Sequence, residues 1–86
     1  MKKKWWDEAF NQYVEWQNKD KKILKKINNI IKDIDRNGYN CGSHLEQLKE
    51  NLSGWYSVEI DKKNRIVFKI NEKNELEIMQ CGTHYK

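Results

Sequence analysis

Cleaving a phosphodiester through a neighbouring hydroxyl takes three groups: a base for the hydroxyl, a cation for the developing phosphorane, and an acid for the departing oxygen. This 86-residue chain holds candidates for all three. Arg65 is one of only two arginines in a sequence that otherwise uses lysine, and it opens a predicted strand just after a turn. A planar guanidinium on a rigid strand suits bidentate contact with phosphate, although a surface ion pair is its commoner use. His84-Tyr85 follows the last predicted strand, where chains ordinarily fray. Thirteen carboxylates are available as bases, and spacing alone selects none of them; Glu46, taken by itself, reads as a solvated side chain. Such chemistry needs the 2′-OH of RNA and spares DNA. The carboxylates form no cluster suited to two-metal hydrolysis, so the simpler expectation is a route without metal or cofactor.

Other residues have plainer readings. Trp55 and Tyr56 alternate faces, so one is expected in the core while the other is free to stack on a base. His44 sits in a loop rich in Gly, Ser and Asn and reads as a surface histidine. Cys81, on the last strand, reads as a small buried apolar residue. With two distant histidines and no paired cysteine spacing, no zinc site is expected.

These residues need a scaffold, and the hydrophobic pattern supplies one. Trp5-Trp6 reads as a short strand entering the sheet, and Asp7 as the N-cap of a helix to Asn18 carrying Ala9, Phe10, Tyr13 and Val14. Asp20 caps a second helix in which Ile23, Leu24, Ile27, Ile30, Ile31 and Ile34 recur at steps of three and four. Gly38 suits its C-terminal end. A loop over 38–44 and a short helical turn around Leu45 to Lys49 are expected next. The period then changes to two. Tyr56, Val58 and Ile60 alternate with Trp55, Ser57 and Glu59, and Ile66, Phe68 and Ile70 alternate with Arg65, Val67 and Lys69. Asp61–Asn64 and Asn71–Asn74 read as hairpin connections, and Leu76 and Ile78 lie on a third strand. The expected fold is α+β: a short N-terminal strand, two helices, then a three-stranded antiparallel meander, with the helix pair on one face.

At this length there is room for one domain, residues 1–86. Hydrophobic content of 37% and four tryptophans argue against disorder. The net charge of +4 favours polyanions, RNA first among them. The polar start and the lack of a long apolar run predict a cytoplasmic protein with reduced cysteines and no membrane partner.

Three ordered blocks make the sequence similar to the YoeB/Txe toxins of the RelE superfamily. The first is Trp16 with Asp20-Lys21-Lys22, Lys25-Lys26-Ile27-Asn28, Ile31-Lys32-Asp33-Ile34 and Arg36. The second is Glu46, Leu48-Lys49, Asn51-Leu52-Ser53-Gly54, Tyr56-Ser57, Ile60-Asp61 and Asn64-Arg65-Ile66-Val67-Phe68; the third is Cys81 and the closing His84-Tyr85. The resemblance implies a RelE-like fold with a small curved sheet. It also implies a toxin that enters the ribosomal A site and cuts mRNA there, and a YefM-like antitoxin that folds over it. Homodimers are common in the family. By motif, Glu46 is the implied general base, Arg65 the transition-state stabiliser and His84 the general acid. Tyr85 would position or stack on the substrate, and Lys49 would assist near the phosphate. Two features depart from the pattern. Val58-Glu59 stand where the family commonly has two arginines, and Ser43-His44-Leu45 where Gly-Lys-Pro is usual. Glu59, if it neighbours Arg65 across the hairpin, would pair with the guanidinium and repel phosphate, while lysines such as Lys69 supply charge. His44 would replace a basic side chain only when protonated. The alternative to a nuclease is therefore a weakened or inactive homologue that binds an antitoxin or the ribosome. A gyrase-poisoning toxin is a third reading, with fewer matching residues.

Overall fold

The computed structural model describes residues 1–42 and 44–83. Strand β1 (Lys3–Trp5) leads into helix α1 (Asp7–Lys19) and helix α2 (Lys21–Asn37). A 3-10 turn over Gly38–Asn40 precedes β2 (Leu45–Gln47), and a second over Glu50–Leu52 precedes β3 (Tyr56–Glu59), β4 (Asn64–Ile70) and β5 (Leu76–Thr83). The five strands form one sheet in the order β1-β5-β4-β3-β2. Only β1 and β5 run parallel; the other neighbours are antiparallel.

The α+β class, the N-terminal strand, both helices and the antiparallel β3–β5 meander agree with the sequence reading. The expected helical turn at Leu45 to Lys49 does not form; those residues begin with strand β2, and the nearest helical turn comes later, at Glu50–Leu52. Pairing decided this: Leu45, Glu46 and Gln47 oppose Val58, Ser57 and Tyr56, and Leu45 packs on the main core. Asp7 is not the cap of α1 but its first residue. Trp6 donates its N–H to Ile78 O while its own carbonyl accepts from Phe10 N–H, so strand passes into helix at Trp6. Asp20 does cap α2, accepting from the backbone N–H of Lys22 and Ile23. Gly38 ends α2 at φ 58°, a backbone region that costs a Cβ-bearing residue more than glycine.

The core lies between the helices and one sheet face. Ile27, Ile30, Ile31 and Ile34 of α2 and Ala9 and Trp16 of α1 meet Val58, Ile66, Phe68, Leu76, Ile78 and Cys81. The alternate residues of the strands face the other way, where Leu48, Trp55 and Val67 make a smaller cluster flanked by Leu52 and Met79. The β4–β5 ladder skips one residue: Val67 pairs with Gln80 and Phe68 with Ile78, which leaves Met79 as a bulge. Beyond β1 the outer edge of β5 is covered by α1. Gln12 Oε1 accepts from Cys81 N–H at 2.8 Å, and Trp16 Nε1 donates to Cys81 O at 2.8 Å. No helix of the described residues is long and apolar enough to cross a membrane.

Candidate functional site

Arg65 is the centre of the sheet's open face. It alternates with Ile66, which is fully buried against the helices, so its side chain projects to the opposite side. Three side chains from two neighbouring strands hold it. Its Nε donates to Ser57 Oγ. Its Nη2 lies 3.1 Å from Glu46 Oε1, and its Nη1 lies 3.7 Å from Glu59 Oε1. The ladder register explains the convergence: Glu46 opposes Ser57 across β2–β3, and Glu59 opposes Arg65 across β3–β4. Ser57 is fully buried and anchors the guanidinium, while Glu46 and Glu59 remain 63% and 54% exposed. Exposed ion pairs of this kind are worth little, so the phosphate of a phosphodiester can displace either carboxylate.

Arg65, Val67 and Lys69 alternate along the same face of β4. Arg65 and Lys69 therefore stand about 13 Å apart at the rise of a strand, with the apolar Val67 between them. Lys69 Nζ sits over the Trp55 ring at 4.7 Å from its centroid. The edge of that ring system meets Trp6 at 5.3 Å. Trp55 thus lies on the expected face, but at 9% exposure its ring is covered, and it carries Lys69 instead of offering a bare surface to a base. Tyr56 turns the other way and packs with Tyr39 and Phe68. Trp6 Nε1 also donates to Glu77, whose carboxyl is held below its ordinary 4.5 chiefly by the Asn71 side-chain amide and then by Trp6.

The remaining expected residues are placed less tightly. Lys49 is exposed beyond the end of β2, and no hydrogen bond or ion pair among the described residues joins it to Glu46 or Arg65. His44 lines an open groove of about 400 Å³ with Lys26, Asn29, Ile30, Glu59 and Ile60. Cys81 is fully buried as expected, and burial pushes its thiol up to about 12, which makes it a poor nucleophile. His84 and Tyr85 lie outside the described residues. The described part of β5 ends at Thr83, with Gly82 opposite Arg65 and Thr83 opposite Asn64. Gln80, 5% exposed, ties the strand end together by donating to the Gly82 and Thr83 carbonyls. Sequence reasoning did not single out Ser57 or Trp6 as site residues. Strand alternation already put Ser57 on Arg65's side, which was the available signal; nothing local marks Trp6.

Comparison with known proteins identifies the family. A family model for the YoeB-like toxin of bacterial type II toxin-antitoxin systems matches residues 5–85. The chain is 41% identical over 85 residues to Toxin YoeB of Escherichia coli O6:H1, covering 99% of this chain and 100% of that one. Among solved structures it is similar to a chain of the heterotetrameric YoeB-YefM toxin-antitoxin complex from Staphylococcus aureus, with a TM-score of 0.89 at 40% identity over 99% and 98% of the two chains. The YoeB dimer from the same organism gives 0.88 at 40% identity, again over 99% and 98%. With a model that spans nearly its whole length and relatives at this identity, the chain belongs to the YoeB-like toxins of bacterial type II toxin-antitoxin systems.

Proposed function

We propose that this protein is a ribosome-dependent endoribonuclease that cuts mRNA by attack of the substrate's own 2′-OH. The observation that carries the proposal is the guanidinium of Arg65, fixed by Ser57 on a rigid strand and lying beside the carboxylate of Glu46. In this reading Glu46 takes the proton of the 2′-OH and Arg65 neutralises the phosphorane. His84 protonates the leaving 5′-oxygen and Tyr85 positions or stacks on the substrate; both follow the strand whose Gly82 opposes Arg65. Lys69, borne on Trp55, and Lys49 bind flanking phosphates. The proton inventory closes without a redox partner: one proton leaves the 2′-OH and one is returned to the 5′-oxygen.

Relatives solved as a YoeB-YefM complex and as a YoeB dimer support two partners, a YefM-like antitoxin and a second copy of the chain; the ribosomal A site with its mRNA, in the cytoplasm, is part of the proposal itself. Primer extension on translated mRNA is the test. Wild type is expected to produce new 5′ ends that disappear in His84→Ala and Glu46→Ala; identical ends in all three would place catalysis elsewhere. One observation favours a second reading, a binding protein with weakened catalysis: Glu59 already occupies Arg65 Nη1. Ribosome binding without any cleavage would select it.

A further inference from the structure

Helix α2 carries a row of cations that no carboxylate among the described residues meets in an ion pair. At 3.6 residues per turn, Lys21, Lys25, Lys32 and Arg36 fall within an arc of about 60°, roughly opposite the buried Ile27, Ile30, Ile31 and Ile34. The four cations make one straight row about 22 Å long at 1.5 Å rise per residue. All four are exposed, and no carboxylate of the described residues lies within 4.0 Å of them.

A merely solvated helix face normally intersperses acids at steps of three or four. α2 has no glutamate, and both its aspartates are engaged off the row. Asp33 accepts from Asn37 and Gly42, and Asp35 from the N-terminal amine, with Lys3 beside it. Arg36 adds only a weaker attraction to Asp33. Like charges at i and i+4 repel, and Lys21-Lys22 stand at the positive end of the helix dipole, where Asp20 caps the helix but no acid stands in the first turn itself. Helix α1 differs in its first turn, which holds Asp7 and Glu8, while each helix has a base in its last, Lys19 and Arg36. The repulsion that remains, between Lys21 and Lys25 and between Lys32 and Arg36, is one that an external anion relieves.

We infer that the outward row of α2, Lys21-Lys25-Lys32-Arg36, docks on the phosphate backbone of structured RNA, as an anchor separate from Arg65. The choice of RNA over an acidic protein rests on the row itself. It contains no apolar or aromatic residue, which a protein interface would want at its centre, whereas phosphate contacts require only positioned cations. The row faces away from the sheet and Arg65 projects from the sheet's other side, so one strand of RNA cannot lie on both. A molecule with two such faces fits between two walls of RNA. This deepens the ribosome reading and rests on it.

The test compares wild type with Lys21→Gln/Lys25→Gln/Lys32→Gln/Arg36→Gln in binding to vacant ribosomes across a salt series. A control removes four exposed lysines elsewhere, Lys2→Gln/Lys62→Gln/Lys63→Gln/Lys73→Gln. The row variant is expected to bind at least about tenfold more weakly, with the slope of log K against log salt reduced by about 3. The control should keep most of the slope, and the row variant should melt within a few degrees of wild type, because lysine repulsion and the weak attractions of Arg36 are lost together. Unchanged affinity and slope overturn the proposal, as does wild type that binds no ribosomes. An equal loss in the control overturns it in favour of net charge alone. Selective loss of binding to an acidic antitoxin, with ribosome binding intact, overturns it in favour of a protein partner. Primer extension run in parallel separates the two readings. Binding that depends on the row without mRNA cleavage sinks the nuclease and supports the anchor; cleavage with row-independent binding does the reverse.

Discussion

Glu59 stands directly opposite Arg65 in the β3–β4 ladder, with its Oε1 3.7 Å from the guanidinium Nη1. It occupies one side of the fork that a phosphate would use. Glu59→Gln is therefore expected to raise mRNA cleavage about two- to fivefold, most at low salt, because an exposed pair of this sort contributes up to ~1 kcal/mol. Glu59→Arg should raise it further. Cleavage rates on translated mRNA check both, and no change would remove Glu59 from control of the site.

Arg65→Lys tests whether geometry or charge matters. A lysine keeps the charge but cannot meet Ser57, Glu46 and a phosphate with one rigid fork. The expected outcome is a loss of cleavage of about 100-fold, or ~2.7 kcal/mol of transition-state stabilisation, with little change in melting temperature. Retention of most activity would mean that a point charge suffices.

Ser57→Ala removes the buried anchor and leaves the guanidinium free to swing. Cleavage should fall about tenfold through kcat, while stability falls by about 1–2 kcal/mol for the lost hydrogen bond to a charged group. Ser57→Thr, which retains the hydroxyl, should restore part of the rate. A stability loss without any change in kcat would make Ser57 a packing residue only.

Trp16→Phe tests the seam between α1 and β5. It deletes the indole N–H that satisfies Cys81 O and leaves that buried carbonyl unpaired, at a cost of about 1–3 kcal/mol. For a domain of this size that corresponds to a melting temperature lower by roughly 4–20 °C. Thermal melts measure it, and a variant as stable as wild type would show that water replaces the indole.

Glu77 gives a pH-dependent stability. Its carboxyl is held below 4.5, first by Asn71 and then by Trp6, so its contribution is fully present above pH 4.5 and is lost as pH falls through the depressed value. Glu77→Gln should melt a few degrees lower than wild type at pH 7, and the gap should close toward pH 3. A gap that stays constant across that range would mean the charge on Glu77 is not what matters.

Periodicity was enough to place α2, because its isoleucines repeat at helical spacing and all face one core. It was also enough for β3 and β4, where alternation sends Arg65 and Ser57 to the face opposite Ile66 and Val58. Local pattern failed at Leu45–Gln47. Three residues carry too little period to be told from a turn, and only pairing with β3 makes them a strand. The same failure hid the site's geometry, because Glu46 meets Arg65 across two strand boundaries and 19 positions of sequence. Only resemblance to known toxins joined them in advance. Trp6 and its partner Glu77 were illegible for a similar reason, being brought together by the parallel β1–β5 pairing.

The two outermost strands, β1 and β2, are each three residues long, and the rest of β5's free margin is sealed by Gln12 and Trp16. Exposed strand margins are templates for runaway association between chains, and here there is little for a second molecule to extend. Short, covered sheet margins thus keep the folded chain from adding strand to strand without limit.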